Sequence, residues 1–173
     1  MYYQDEKLCI RKLCEADIAP IVLEEMAQGW GDNTGKLQMR IAHEASGKCI
    51  TLCAVYEGRP VGYIFVYPEA KDGAFGGTGL PEIVDFAVAE KFRGKGIGSK
   101  LMDAAEKIAA RYADTVYLGV GLHSGYGSAQ RMYIKRGYIP DGSGVWYGEK
   151  VCTPYTPCVN DDGLILYLSK RLR

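Results

Sequence analysis

No apolar run in the 173-residue sequence is long enough to cross a bilayer. Its longest hydrophobic stretches are strand-sized, such as Val61 to Tyr67, against the roughly 18 residues that a spanning helix needs. An excess of either charge is also missing: 21 Lys and Arg stand against 21 Asp and Glu. Proteins that live on nucleic-acid phosphates carry a basic surplus, so neither nucleic acid nor membrane is expected as a partner. Residues Met1 to Lys7 carry acids where a signal peptide carries bases, and no apolar segment follows them. The expected location is therefore cytoplasmic. Histidine is scarce, and neither His43 nor His123 has a partner at metal-ligand spacing, so no metal is expected. The six cysteines, Cys9, Cys14, Cys49, Cys53, Cys152 and Cys158, contain no C-x-x-C pair. In a reducing compartment they read as buried thiols acting as small hydrophobes.

What is present suits one globular domain over residues 1–173, with 47% hydrophobic residues to build a core. Leu8 to Leu13 reads as a short strand, and the apolar positions Ile18, Ile21, Val22 and Met26 as a helix ending at Gly29. A second helix is expected from about Lys36 to Ala45. Ile50 to Tyr56 and Val61 to Tyr67 flank Glu57-Gly58-Arg59-Pro60 and read as an antiparallel hairpin. Pro68 to Leu80 is rich in Gly and reads as a loop. Glu82 to Val88 is a strand, and Ile97, Leu101, Ala105, Ile108 and Tyr112 form one helical stripe. Thr115 to Val120 is the next strand, Gly127 to Arg136 a helix stopped by Gly137, and Leu164 to Leu168 the last strand. The fold class is α/β of the mixed, α+β type, with a central sheet.

Between the fourth strand-like segment and its helix stands Arg93-Gly94-Lys95-Gly96-Ile97-Gly98. Glycines let successive N–H groups converge on an anion, and the helix that follows adds the positive end of its dipole. Lys91, Arg93, Lys95 and Lys100 surround it with full charges. This is a phosphate or pyrophosphate cradle, but it fits neither the Walker A spacing nor the dinucleotide fingerprint.

Arg93-x-x-Gly96-x-Gly98 resembles the acyl-CoA loop Q/R-x-x-G-x-G/A of the GNAT superfamily of N-acyltransferases. Ala129 to Tyr138 is similar to that family's A-x-x-L-Y-x-x-x-G-F/Y helix. The elements follow the family's order over nearly the whole chain. The resemblance implies a mostly antiparallel twisted sheet, splayed between the family's fourth and fifth strands and flanked by helices. It implies acetyl-CoA as co-substrate, held by the main chain of Phe86, Ala87 and Val88 and by Arg93, Gly94, Lys95, Gly96, Ile97, Gly98 and Ser99. Tyr126 occupies the place where many relatives carry a cofactor-contacting Asn, and Gly119 the place where some carry a glutamate base. A homodimer is compatible with it, since many relatives dimerise.

An alkyl amine with a pKa near ~10.4 must lose a proton before it can attack a thioester. Glu82 and Asp85 are the candidate bases, Glu82 favoured because it aligns with a strand-opening glutamate of relatives. Three apart on a regular strand, they would face opposite ways. Tyr133 is the candidate acid for the departing thiolate, its alternative role being a core aromatic.

The implied activity is acetyl transfer to a primary amine of a small molecule or peptide, by direct attack in a ternary complex. An acyl-CoA-binding sensor without turnover and a ribosomal-protein-type acetylase are the alternatives. Asp141 to Asp162 reads as a long functional loop. Its Trp146 and Tyr147, with Trp30 of the loop between the first two helices, are the expected walls for a cationic acceptor.

Overall fold

The computed structural model describes residues 1–172. It is mixed α/β, with mostly antiparallel strands flanked by helices, as the pattern of elements predicts. Two compact units make up the chain, Met1–Pro68 with Ile83–Ile108, and Glu69–Glu82 with Ala109–Arg173. Among the described residues no helix is long and apolar enough to cross a membrane.

In the first unit the strands β1 (Tyr3–Gln4), β2 (Leu8–Arg11), β3 (Ile50–Tyr56), β4 (Arg59–Tyr67) and β5 (Glu82–Val88) lie side by side in chain order. Helices α1 (Glu15–Ala27) and α2 (Thr34–Ala45) join β2 to β3, and α3 (Ile97–Ala109) follows β5. Leu13, Ile18, Ile21, Val22 and Leu37 close on Cys53, Tyr63 and Phe65 of the hairpin. Each such buried side chain contributes about 1.5–3 kcal/mol by leaving water. Arg11 grips Asp17 with two hydrogen bonds of 2.7 Å, and the Cys14 N–H donates to the same carboxylate at 2.9 Å, tying the end of β2 to the start of α1. Burial opposes ionisation of Asp17, but these donors outweigh it and hold the carboxyl below its ordinary value. A Cβ on Gly62 would stand 2.5 Å from the Ala87 carbonyl oxygen, so glycine is what lets β4 and β5 approach there.

The second unit orders its strands β6 (Thr115–Gly121), β9 (Leu164–Arg171), β7 (Ile139–Tyr147) and β8 (Lys150–Val151), each neighbouring pair antiparallel. Its core gathers Ala70, Tyr117 and Tyr167, with Phe75, Leu80, Trp146 and Ile165 packed on them. Helix α4 (Gly127–Lys135) ends in a Schellman motif: the Tyr138 N–H donates to the Tyr133 carbonyl at 3.0 Å and the Gly137 N–H to that of Ile134 at 3.0 Å.

Several expectations need correction. The segment 141–162 is not one loop, because β7 runs through Tyr147 and turns into β8. Glycines at 142, 144 and 148 masked the strand pattern there. Helix α3 stops at Ala109, so Tyr112 leaves the buried stripe and is 51% exposed. Cys49 and Cys53 are buried as expected, but Cys14 and Cys158 are exposed. Strand β5 is not regular: Asp85 has φ 52, which breaks the alternation that set it opposite Glu82.

Candidate active site

The first unit carries the loop Arg93–Ser99. Strand β5 delivers Phe86, Ala87 and Val88 to a short 3₁₀ turn, Glu90–Phe92, after which Gly94 and Gly96 adopt φ 76 and φ 79. These left-handed conformations turn the backbone between β5 and α3, and side chains adopt them only at a cost. Beyond the adjoining residues, nothing lies within 4 Å of where a Cβ would stand on either glycine, so the loop's surface is open. The helix that begins at Ile97 leaves its first N–H groups without intrahelical partners. The Ile97 side chain is buried in the core, so only its main chain is available to a phosphate, whereas Ser99 is exposed.

The cations around this loop are mostly engaged elsewhere. Arg93 Nε donates to the Val88 carbonyl oxygen at 3.1 Å, and its guanidinium lies 5.7 Å over the Trp30 ring. Lys91 pairs with Glu24 at 2.6 Å. Lys100 stands 4.6 Å over the Tyr3 ring and Lys95 5.8 Å over that of Tyr56. Trp30, expected as an acceptor wall, is thus stacked with the arginine that opens the loop.

Asp85 is committed to an ion pair. Arg40 of α2 reaches it at 2.7 Å through Nε and at 2.6 Å through the second terminal nitrogen, and its other terminal nitrogen donates to the Tyr67 hydroxyl. His43 Nδ1 lies 2.6 Å from the same hydroxyl. Sequence reasoning missed Arg40 and Tyr67, since a charge on a helix and a tyrosine at a strand end carry no local signal of each other.

The second unit holds Glu82, Tyr133, Tyr126, Trp146 and Tyr147. Tyr133 is 5% exposed and its ring lies 5.8 Å from that of Tyr138. Burial, then the neighbouring Tyr126, push its pKa up, so it stays a protonated donor. The Tyr126 hydroxyl donates to Asp162 Oδ1 at 2.9 Å, and His123 Nε2 meets the same oxygen at 2.8 Å. Glu82 is half-buried beside Tyr117, a residue the sequence pattern placed in a strand but not in the site. Trp146 packs edge-on to Tyr167 at 5.4 Å and its indole N–H donates to Ser143 at 2.7 Å. Tyr147, the next residue of β7, points the other way and donates to Asp161 at 3.1 Å. The two rings therefore do not form one wall. Cys152 and Cys158 line an open hollow of about 380 Å³ with Val145 and Leu164.

Over residues 16–138 the sequence matches the model described as the acetyltransferase (GNAT) family. No curated protein sequence matches it. Three solved structures illustrate the likeness in fold. The first is yncA from Salmonella typhimurium, solved with its cofactor acetyl-CoA: 17% identity, 97% of this chain and 95% of that chain covered, TM-score 0.67. The second is the acetyl transferase of Salmonella typhimurium that modifies the N-terminal serine of ribosomal protein L7/L12: 13% identity, 96% of each chain, TM-score 0.69. The third is an acetyltransferase of the GNAT family from Staphylococcus aureus: 15% identity, 96% of this chain and 99% of that chain, TM-score 0.65.

Proposed function

The chain belongs to the acetyltransferase (GNAT) family, and from that premise we propose that it transfers acetyl from acetyl-CoA to a primary amine of a small molecule or peptide. The observation that carries this reading is the loop Arg93–Ser99. Its two left-handed glycines leave open space where any Cβ would intrude, and a helix start follows at once. Those are the requirements of a pyrophosphate held by main-chain N–H groups. The family's acetyl-CoA, which yncA holds in its structure, fits that cradle chemically.

In this reading the main chain of Phe86, Ala87 and Val88 pairs with the pantetheine arm, and one N–H polarises the thioester carbonyl. Glu82 takes a proton from the acceptor ammonium. The amine nitrogen then bonds to the carbonyl carbon, the carbon–sulfur bond breaks, the leaving thiolate takes its proton from the Tyr133 hydroxyl, and the second proton shed by the new amide nitrogen restores that hydroxyl through solvent. Glu82 is preferred to Asp85 because it aligns with the strand-opening glutamate of relatives, while Asp85 is paired with Arg40. Trp146 is the aromatic proposed for the acceptor side, and Trp30 serves the cofactor loop through Arg93. We place the reaction in the cytosol, as a single 1–173 domain, with free thiols and neither metal nor nucleic acid involved.

The test is calorimetry with acetyl-CoA, followed by a panel of polyamines, aminoglycosides, amino acids and peptides read by release of CoA thiol. Micromolar binding with release on at least one amine is expected. Binding without release on any amine would make the chain a sensor module. Release on ribosomal-protein peptides alone would make it a protein acetylase.

A further inference from the structure

Tyr117 sits at the middle of β6 with no exposure at all. Its N–H donates to the Pro81 carbonyl at 3.1 Å, which sets it beside the residue preceding Glu82. Phe75 packs on its ring at a centroid distance of 4.6 Å and Tyr167 at 6.1 Å, so the ring is fixed. Yet its hydroxyl has no hydrogen-bond partner among the described residues. A phenylalanine would fill the same space without stranding a polar group in a dry core. A hydroxyl kept under those conditions asks for an acceptor, and after burial itself the Glu82 charge acts on it more than that of any other residue.

We infer that Tyr117 is a positioning residue for Glu82, its hydroxyl donating to the carboxylate that receives the acceptor's proton. The inference rests on the reading of Glu82 as the base. Such a bond orients the carboxylate and favours its charged form, keeping it able to take a proton inside an apolar cluster. The other groups acting on the Tyr117 hydroxyl are Tyr167 from β9 and Asp72 from the loop before β5. Tyr167 in turn feels Glu82, Glu149, Asp72 and Asp141.

The test is Tyr117→Phe, which keeps the ring. Thermal stability and the KM for acetyl-CoA should hold or improve. With an amine that the wild type acetylates, kcat/KM near neutral pH should fall tenfold or more. The acidic limb of the pH profile should move upward, because loss of a donor raises the pKa of the carboxylate it served. Glu82→Gln and the Glu82→Gln, Tyr117→Phe pair should then share one residual rate. Superimposable pH profiles with activity within twofold would make Tyr117 a core aromatic and overturn the inference. A readout without turnover separates this from failure of the acetyltransfer reading. Carboxyl carbon NMR of labelled protein, assigned against Glu82→Gln, should show the Glu82 midpoint higher in Tyr117→Phe than in wild type. An unmoved midpoint overturns the positioning role even if the enzyme is active, and a moved one upholds it even if no acceptor is found.

Discussion

At Tyr133 a helix terminus places a hydroxyl. The Schellman turn at Gly137 makes the Tyr133 carbonyl a cap acceptor for Tyr138, which fixes the backbone under the phenol. Tyr133→Phe keeps the packing and removes the proposed acid. Turnover should fall about 10²-fold, within the range for general acid catalysis, with acetyl-CoA affinity by calorimetry within a small factor. Unchanged turnover would leave Tyr133 as packing. Arg40 and Asp85 pose a different question at the same scale. Their side chains are 17% and 21% exposed, so solvent screens part of the pair's energy. Arg40→Met should strand the Asp85 charge and cost about 2 kcal/mol in denaturant unfolding, below the full penalty for a buried pair. A change under about 0.5 kcal/mol would class the bridge with ordinary surface pairs.

The element that matters most is the turn from β5 into α3. Gly96 holds φ 79, where a Cβ costs about 1–2 kcal/mol through the backbone alone. Gly96→Ala should therefore lower stability by that amount and also lose acetyl-CoA binding. Calorimetry below the melting temperature separates the two effects, and near-normal affinity in the folded variant would remove the loop from the cofactor site. Trp30 belongs to the same element through Arg93, whose guanidinium stacks on it. Trp30→Ala should raise the KM for acetyl-CoA several-fold and leave that of the amine in place. The opposite split would return Trp30 to the acceptor side.

The molecule as a whole has an alkaline and an acid limit written in its buried groups. Burial pushes Tyr63, Tyr117 and Tyr133 well above the ordinary phenol value and Tyr167 up to about 12. Above about pH 10 unfolded tyrosines lose protons that the folded chain retains, so the unfolded state binds fewer protons and stability falls as pH rises. Asp17 works in the other direction. Its lowered pKa contributes stability above about pH 4, and that contribution disappears as pH falls through the folded value. The buried Cys49 and Cys53 thiols, raised by burial, act in the same direction as the tyrosines from a lower pH, so stability measured by denaturant midpoints should be flat from roughly pH 5 to pH 8 and decline on both sides. Tyrosine absorbance at alkaline pH should rise partly with unfolding rather than before it. Full tyrosine titration in a still-folded chain would contradict the burial of these rings.

The order of elements from β2 to α4, the hairpin, the loop Arg93–Gly98 and the helix stop at Gly137 were all legible in the sequence. Each depends on neighbours within a few residues: apolar period, a turn dipeptide, glycines ahead of a helix. The resemblance to a family rested on the same local spacing. The sequence could not show that Asp85 was held in an ion pair. That depended on Arg40, 45 residues away from Asp85, and on a left-handed residue within a strand. Nor could it separate Trp146 from Tyr147, because the register of β7 against β9 determines which ring enters the core. Nothing local marked Tyr117, whose importance comes from a backbone bond to Pro81 and from rings contributed by Phe75 and Tyr167. Short-range pattern determines which elements form, because propensity and turn chemistry act over one or two turns of chain. Which charges and hydroxyls face each other is decided only when strands pair, because that pairing joins residues with no local influence on one another.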